Sequence, residues 1–512
     1  MVVFLFPINR ITLPIVFGKF PADLLRTLIP ETITVQKPIP TPQNLKVLVS
    51  HHANPSYMAP IQFSENQVNC GPFFEDVDIE GRAISRKTPP GSYDIKKIVD
   101  SLPKEQKPDM FFAKADATRS NLPCNIGALG IPTVLNLGDM QHQKAPVQTL
   151  LKYAASEPYS VYVADHMRRH LHYFNEIGLS NVYWAPGISV KNWNIPFQKE
   201  RNIPINFVGQ MGEFHPYRNS ILGELMEKED IPIKAGRASQ EQASQIYARS
   251  LISLNFTMNG DSNLRIFEVL AAGGFLMTDK LHAQAGIEIL FDKGIHLEQF
   301  EGVDDLYDKC KYYLKHPAQA LKIAWQGYQE FQRSHSTARK CQQIIDLAFK
   351  GWSDSSWNSL KDKRALYCKS TNGKALINRI SNFEYFQQKQ LEGEQNTLLF
   401  SKSANINLTC DTADLFRTKI YTTNHQADDF FIKTEVNNYI EYTSLSSAPQ
   451  TDYYIASTIE FQKQMKHELK SNYILLEDFH LQPQEKQTLA TQHLREHGYL
   501  IYNQKPALYT KI

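Results

Sequence analysis

The sequence lacks the features that mark several large classes of protein. Its formal net charge is only +2, with 55 basic and 53 acidic side chains in 512 residues, so no basic surface suited to a nucleic-acid partner is indicated. Long apolar runs are also absent. The most apolar stretch, residues 1–20, is broken by Pro7, Arg10, Pro14 and Lys19. It falls short of the roughly 20 consecutive apolar residues that a membrane-spanning helix needs.

The same stretch has no positively charged start and no small-residue cleavage site, so it does not resemble a signal peptide. We therefore predict a cytoplasmic protein without a transmembrane segment. Its N-terminal extension is expected to pack on the body of the protein, and peripheral contact with the inner face of a membrane remains an alternative.

Closely spaced cysteines are missing as well. The chain has six, at Cys70, Cys124, Cys310, Cys341, Cys368 and Cys410. No pair has the spacing of a zinc site or of a redox motif, so we predict six free thiols in a reducing compartment.

The pattern that is present is an alternation of short apolar runs with amphipathic helical segments. Such alternation predicts the α/β class, with parallel sheets covered by helices on both faces. The length suggests about three domains. The predicted divisions are an N-terminal extension (1–40), a first Rossmann-like domain (41–188), a second one (189–350) and a C-terminal α/β domain (366–512).

A polar, proline-bearing linker at residues 189–204 separates the two Rossmann-like domains. Two doubly wound units joined in this way form a cleft between the carboxyl ends of their sheets, and ligands bind at such edges. The site is therefore expected in this cleft.

The most informative stretch is LISLNFTMNGDSNLRIFEVLAAGGFLMTD, residues 251–279. It predicts a buried strand, a polar loop, a helix that ends at Gly273-Gly274, and a further strand. Asp261 or Ser262 is the expected helix N-cap. The free N–H groups and partial positive charge of that helix N-terminus suit a diphosphate.

Two side chains of this helix extend the same argument. Arg265 lies one turn in and adds a full charge for phosphate oxygens. Glu268 lies three residues later on the same face, where its carboxylate can accept hydrogen bonds from both hydroxyls of a ribose. The spacing fits a nucleoside diphosphate, but it also fits an ordinary amphipathic helix with an exposed Arg–Glu pair.

The segment RIFEVLAAGGFLMTD resembles the signature of GT-B fold glycosyltransferases of the CgeB-like (spore maturation protein) family. Neighbouring segments resemble the same family in order. They are VGQMGEFHPYRNSIL, YARSLISLNFTMNG, and the closing helices with their break at His316-Pro317 and the late His335 and Arg339. The resemblance covers residues 205–345 well and 45–200 loosely.

The resemblance implies a nucleotide sugar bound mainly by the second domain, with Glu268 on the ribose. Gly209, Gln210 and Arg265 would lie near the phosphates, and the Gly236-Arg237 pair near the base. Arg218 would be a further phosphate ligand or, equally, part of a surface ion pair. One departure concerns the mechanism: many retaining relatives have a second Glu where this chain has Gly260. The stereochemistry therefore stays open.

An inverting transfer needs a base near the acceptor hydroxyl, and the first domain should supply it. Polar residues follow several of its predicted strands. Asp139, with His142 three residues on, is our first candidate for an acid/base pair, and His52 is another. The further candidates are His51, Asp116 with Arg119, and Asp165 with His166, of which the last pair has helix capping as its simpler role.

No catalytic metal and no cofactor besides the donor are expected. No Asp-x-Asp pair follows a predicted strand, and Asp304-Asp305 opens a predicted helix. The helix dipole and Arg265 would then stabilise the leaving diphosphate.

The last third of the chain resembles the late strands of Rossmann-type methyltransferases, including a final hairpin after a helix. Their glycine-rich cofactor loop is absent from residues 365–410. We interpret this domain as a degenerate methyltransferase-like fold that binds the acceptor or mediates dimerisation.

The resulting hypothesis is a metal-independent hexosyltransferase-type glycosyltransferase. It would transfer a sugar from a nucleoside diphosphate sugar to a glycan, lipid-linked or protein acceptor. An inactive GT-B scaffold and a sugar-nucleotide epimerase remain as alternatives. The sequence does not indicate the oligomeric state.

Overall fold

The structure is a computed structural model of the chain. It describes residues 40–56, 58–140, 143, 145–187, 195–211, 215–228, 230–258, 260–354, 373–392, 396–401, 404–413, 415, 418–434, 439–458, 461, 471–496, 499–503 and 508–511. The predicted N-terminal extension lies outside these residues apart from its last position.

The first unit is built on an eight-stranded sheet with the order β10-β9-β8-β6-β1-β2-β4-β3, parallel except for β3. Two further strands, β5 and β7, pair with each other. The strands are β1 (Lys46–Ser50), β2 (Asn66–Gly71), β3 (Val77–Ile79), β4 (Arg82–Lys87), β5 (Gly91–Asp94), β6 (Met110–Ala115), β7 (Asn121–Cys124), β8 (Thr133–Leu137), β9 (Val161–Ala164) and β10 (Val182–Trp184). The helices are α1 (Ile95–Ser101), α2 (Pro146–Ser156) and α3 (His172–Glu176).

The second unit has a five-stranded parallel sheet with the order β12-β11-β13-β14-β15. Its strands are β11 (Ile203–Val208), β12 (Ile233–Gly236), β13 (Ser250–Asn255), β14 (Leu276–Asp279) and β15 (Glu298–Phe300). Its helices are α4 (Pro216–Met226), α5 (Gln240–Arg249), α6 (Leu264–Ala271), α7 (Ile287–Leu290), α8 (Gly302–Lys315) and α9 (Pro317–Glu330).

The next helix, α10 (Thr337–Lys350), belongs in space to the first unit. Its apolar residues, among them Ile344 and Leu347, share a core with Val49 and Phe112 of the first sheet. The chain therefore crosses back after α9, and this helix ties the second unit to the first.

The C-terminal unit has a seven-stranded sheet with the order β18-β17-β16-β19-β20-β22-β21, in which β22 is antiparallel to its neighbours. Its strands are β16 (Thr397–Phe400), β17 (Lys419–Thr422), β18 (Ile440–Tyr442), β19 (Thr451–Ala456), β20 (Ser471–Leu476), β21 (Tyr499–Asn503) and β22 (Leu508–Lys511). Its helices are α11 (Gly373–Leu391), α12 (Ile406–Ala413), α13 (Asp428–Lys433) and α14 (Gln484–Glu496).

The predicted α/β class with parallel, Rossmann-like sheets is confirmed by these topologies. Among the described residues, no helix combines the length and apolarity that crossing a membrane requires. The five cysteines of the described part of the chain are free thiols, and Cys368 lies outside it.

The stretch 251–279 folds as its pattern indicates, with β13, then α6, then β14. Strand β13 is buried along most of its length, and α6 buries one apolar face. The helix stops at Gly273, whose φ of +71° favours glycine.

The predicted N-cap of α6 was wrong. The cap position is Asn263, and it makes no side-chain capping hydrogen bond. Asp261 instead pairs with Arg169 of the first unit, and the Ser262 hydroxyl donates to the His166 carbonyl oxygen. Asp261 and Ser262 are therefore used in contacts between the two units, where both side chains are buried, and they do not cap α6.

Candidate functional site

The carboxyl ends of β11, β12 and β13 bring most of the predicted donor residues together. Gly209 follows β11, and its N–H donates to the carbonyl oxygen of Gly236 at 2.9 Å. Arg265, on α6, lies at the same place, and we call this group of residues around Gly209, Gly236 and Arg265 the donor corner. Its Nη1 donates to the Asn255 side-chain oxygen at 2.9 Å, and its guanidinium lies 4.9 Å from the centre of the Phe207 ring.

Gly209 makes room for this arginine. A Cβ at position 209 would lie 2.3 Å from Nη2 of Arg265, closer than such atoms approach. The glycine therefore lets the guanidinium lie flat against the end of β11.

We expect Gly209→Ala to push Arg265 away and to weaken nucleoside diphosphate binding about tenfold, the loss of roughly one charge-assisted hydrogen bond. Stability should change little because the displaced atoms are the end of a flexible side chain. Calorimetric titration checks this. Gly223→Ala, on α4, is the matched control, since a Cβ there meets nothing within 4 Å. Equal affinities of the two variants would contradict the role given to Gly209.

Arg218 is not part of a surface ion pair, which was one of its two predicted roles. It is buried, and it donates to the carbonyl oxygens of Gln210 at 2.8 Å and Phe256 at 3.0 Å. Burial and the nearby Arg265 lower its pKa to about 9. Arg218 thus joins the loop after β11 to the loop after β13 behind the corner that holds Arg265.

The side chain of Glu268 is partly buried, and its carboxyl makes no hydrogen bond or ion pair with any residue that the structure describes. Burial raises the pKa of its carboxyl to about 7, although Arg265 acts in the opposite direction. A buried carboxylate without hydrogen-bond donors destabilises the free protein, and a ligand that donates hydrogen bonds to it would stabilise the folded state.

The other predicted donor residues are exposed. The side chain of Gln210 faces solvent, as do Gly236 and Arg237 after β12. Gly236 is in contact with the corner through Gly209, whereas Arg237 makes no hydrogen bond or ion pair within the described part of the chain. The structure therefore brings together Gly209, Arg218, Gly236, Arg265 and Glu268, and leaves Arg237 at the rim.

The first unit presents a row of polar residues at the carboxyl ends of neighbouring strands. The sheet order places β9, β8, β6 and β1 side by side, and these strands are followed by Asp165, Asp139, Asp116 and His51-His52 respectively. His142 lies outside the described residues.

His52, one of the predicted catalytic residues, lies beside Asp116, with 3.5 Å between its Nε2 and Asp116 Oδ2. Burial, and then Lys114, lower the pKa of His52 to about 3, although the charge of Asp139, another predicted catalytic residue, acts to raise it. The imidazole is therefore neutral at physiological pH.

Asp165 has a structural role rather than a capping one. Its carboxylate accepts from Lys340 at 2.7 Å, from Asn136 at 2.8 Å and from Lys114 at 3.3 Å. Burial opposes ionisation, but Lys340 and Lys114 hold its pKa well below the usual range. Because Lys340 is on α10, this group fixes the crossing helix to the first sheet.

A small pocket at the carboxyl end of the first sheet is lined by His51, Met58, Ala59, Ile61, Phe112, Lys114, Asn136 and Leu264. Leu264, the first residue of α6, is the lining residue from the second unit. The helix that carries Arg265 and Glu268 therefore begins beside the polar row of the first unit.

Several residues of this region were not found from the sequence. Lys114, Lys340 and Arg169 are buried charges whose partners lie 51, 175 and 92 positions away in the chain. Lys114 interrupts an apolar strand, which is the only local signal that any of them gives.

Residues 199–346 match a family model described as "Glycosyl transferase-like". The matched region includes every predicted donor residue, which are Gly209, Gln210, Arg218, Gly236, Arg237, Arg265 and Glu268. None of the curated proteins matches the chain.

Solved structures with similarity to this chain include the following three. HepE of Anabaena, solved with UDP and glucose, is 11% identical, with a TM-score of 0.42 over 59% of this chain and 98% of that one. A glycosyltransferase of Rickettsia africae is 12% identical, with a TM-score of 0.42 over 61% and 100%. Sucrose-phosphate synthase of Thermosynechococcus elongatus is 11% identical, with a TM-score of 0.41 over 59% and 98%.

Proposed function

We propose that the protein is a hexosyltransferase-type glycosyltransferase that uses a nucleoside diphosphate sugar and no metal. The observation that carries this proposal is the pair on α6. Arg265 is held by Asn255 at the end of β13, and the Glu268 carboxyl beside it has no hydrogen-bond partner in the described part of the chain. Both lie in the segment that matches the glycosyl transferase-like family.

The donor roles follow from charge and position. Arg265 and the N–H groups at the start of α6 would hold the diphosphate, because this helix end carries a partial positive charge and its cap residue leaves it free of a side-chain acceptor. Glu268 would accept from the two ribose hydroxyls. Arg218 would join the two loops behind the corner through two of its five N–H groups, with the others available to phosphate.

The acceptor side would supply the base. Asp139 is partly exposed, whereas the Nδ1 atom of His52 is buried. We therefore assign proton removal from the acceptor hydroxyl to Asp139, with His52 and Asp116 fixing the polar row around it. As the acceptor oxygen bonds to the sugar C1, the bond from C1 to the diphosphate breaks, and the leaving diphosphate keeps the electron pair. Arg265 and the α6 N-terminus would stabilise that charge.

We expect Asp139→Asn to lower kcat roughly 10²–10⁴-fold, the usual contribution of a general base, with nucleotide affinity unchanged. His52→Ala should lower kcat less, because it acts by positioning. Steady-state rates and calorimetric nucleotide affinities check this. Asp109→Asn, at the opposite end of the first sheet beside Lys46, is the control. Full turnover by Asp139→Asn would exclude Asp139 as the base.

The decisive experiment is the unfolding temperature of the purified protein with UDP-, GDP-, ADP-, dTDP- and CMP-sugars in the presence of EDTA. A ligand at 100 times its dissociation constant adds about 2.7 kcal/mol to the free energy of unfolding. We expect one nucleotide class to give a clear shift that Glu268→Ala removes. No shift with any donor would favour the inactive scaffold. Binding with interconversion of the sugar but no transfer would favour the epimerase.

The C-terminal unit is proposed to be a methyltransferase-like fold without cofactor binding. The five parallel strands in the order β18-β17-β16-β19-β20 and the late antiparallel hairpin support the analogy. The segment that follows β16 is joined to the end of β20, since the backbone N–H of Asn405 donates to the Glu477 carboxyl. Burial raises the pKa of Glu477 to about 8. Acceptor binding and dimerisation remain its proposed roles.

A further inference from the structure

The connection between β9 and β10 contacts the second unit beside the donor corner. Arg169 and Asp261 form a two-pronged ion pair, with Nε to Oδ1 at 2.7 Å and Nη2 to Oδ2 at 3.1 Å. The two side chains are 1% and 0% exposed, so the pair is fully desolvated. Nδ1 of His170 lies 3.8 Å from the same carboxylate.

The residues around this pair strengthen the same junction. The Ser262 hydroxyl donates to the His166 carbonyl oxygen at 3.0 Å, and Arg168 donates to the Gln284 carbonyl oxygen at 3.1 Å. Asp261 and Ser262 are the two residues before Asn263, the N-cap of α6. The position of the α6 N-terminus is therefore set by residues of the first unit and not by a cap of its own.

The C-terminal unit also contacts the β9–β10 connection, at residues that follow Arg169 in the chain. Glu176, at the end of α3, accepts from Nη1 of Arg379 at 3.0 Å and pairs with His172 at 2.9 Å. Arg379, on α11, also donates through Nε to Asp411 at 2.8 Å. All four side chains are at most 2% exposed. Residues 169–176 are thus fixed between the donor corner and the C-terminal unit.

We propose that Arg169 is a positioning residue for the donor site. Through Asp261 it fixes loop 260–263 and hence the start of α6, with Arg265 and Glu268. The C-terminal unit in turn fixes the segment that carries Arg169, which gives this unit a role in donor binding. The inference rests on the function proposed above for Arg265 and Glu268.

Arg169 would act on the donor site by fixing the geometry of loop 260–263 more than by adding stability. A buried ion pair is weak evidence for stability, because desolvation offsets much of its attraction, but its directional fork permits one arrangement of the loop. The loop needs such a constraint, since Gly260 has a φ of +74° and glycine is free to leave that conformation. A shift of about 1 Å in groups that hold a reacting substrate can cost on the order of 100-fold in rate.

The first test needs no ligand. Amide hydrogen exchange at residues 260–266 is compared among wild type, Arg169→Met and the apolar double variant Arg169→Met/Asp261→Leu. The double variant restores packing without leaving a buried charge, which is often neutral for stability. We expect exchange in this segment to rise about tenfold or more in the double variant at an unchanged unfolding temperature. Lys309→Met, which breaks an ion pair on α8, is the control. Unchanged exchange at residues 260–266 would overturn the inference.

The second test measures affinities for UDP, GDP, ADP and dTDP, and then kcat and KM with the sugar of the nucleotide that binds. We expect the double variant to lose about 100-fold in kcat/KM and Arg169→Lys to recover part of it. If the double variant had normal stability and the kcat/KM of the wild type, the Arg169–Asp261 pair would have only a structural role. That result would overturn the inference. Altered exchange in a protein whose wild type binds none of the nucleotides would contradict the proposed function instead.

Discussion

Glu268→Gln is expected to abolish donor binding while making the free protein more stable. The carboxylate of Glu268 has no partner among the described residues, so its removal takes no contact away from the folded protein. In the complex it would accept two hydrogen bonds from ribose. Hydrogen bonds to a charged group contribute roughly 1.5–3 kcal/mol each, which predicts a loss of at least about 100-fold in kcat/KM.

The size of the stability gain in Glu268→Gln depends on pH. Burial raises the pKa of Glu268 from 4.5 to about 7, so the folded protein holds a proton that the unfolded chain releases. Stability is therefore lost in the wild type as pH rises from 4.5 through 7. The gain in Glu268→Gln should be absent below about pH 4.5 and reach on the order of 3 kcal/mol at pH 8.

The donor affinity of the wild type should rise with pH, whereas its stability falls. The ionised carboxylate is the better acceptor for ribose hydroxyls, so affinity should rise with pH and level off above about 7. Because the pKa of His52 is lowered to about 3, this histidine should produce no step near its usual value. Calorimetric titrations with the nucleotide between pH 5.5 and 8.5 measure this profile.

Glu157→Gln provides the matched control. Burial also raises the pKa of Glu157 to about 7, but its carboxylate accepts from the Ile126 N–H at 3.1 Å, and it lies in the first unit away from the donor corner. Donor affinity should be unchanged in this variant. If Glu268→Gln kept wild-type affinity as well, the ribose role of Glu268 would be wrong.

Arg379→Met is expected to cause a large loss of stability, roughly 3–5 kcal/mol. The substitution leaves the carboxylates of Glu176 and Asp411 buried without their cation, and breaking a buried pair from one side has this cost. Urea unfolding followed by circular dichroism measures the loss. Arg333→Met removes a pair whose arginine side chain is 74% exposed, and it should cost less than about 1 kcal/mol.

The loss of stability caused by Arg379→Met should also become smaller at low pH. Burial opposes ionisation of Glu176, but Arg379 and His172 lower its pKa to about 2. Its contribution to stability is therefore present above pH 4.5 and disappears as pH falls toward 2. A difference between wild type and Arg379→Met that stayed constant from pH 7 to pH 3 would show that the ion pairs are not its cause.

The parts of this protein that the sequence determined are those encoded locally. Alternating apolar runs and helical patterns predicted the α/β class and the strand–loop–helix of residues 251–279, because burial of an apolar face imposes its period on neighbouring residues. The family resemblance placed Gly209 and Arg265 near the same phosphates, and the structure brings the two residues into contact. Parallel strands made that juxtaposition predictable, since their carboxyl ends lie at a single edge.

The tertiary structure alone decided how the charged residues are used. Asp261 has the sequence position of a helix cap, yet it pairs with Arg169, 92 positions away. Arg218 had a surface ion pair as an alternative, yet it is buried against two backbone carbonyl oxygens. Helix α10 follows the second unit in sequence, yet Lys340 fixes it to the first. Each outcome depends on which distant groups share a desolvated space, and a local period contains no information about that.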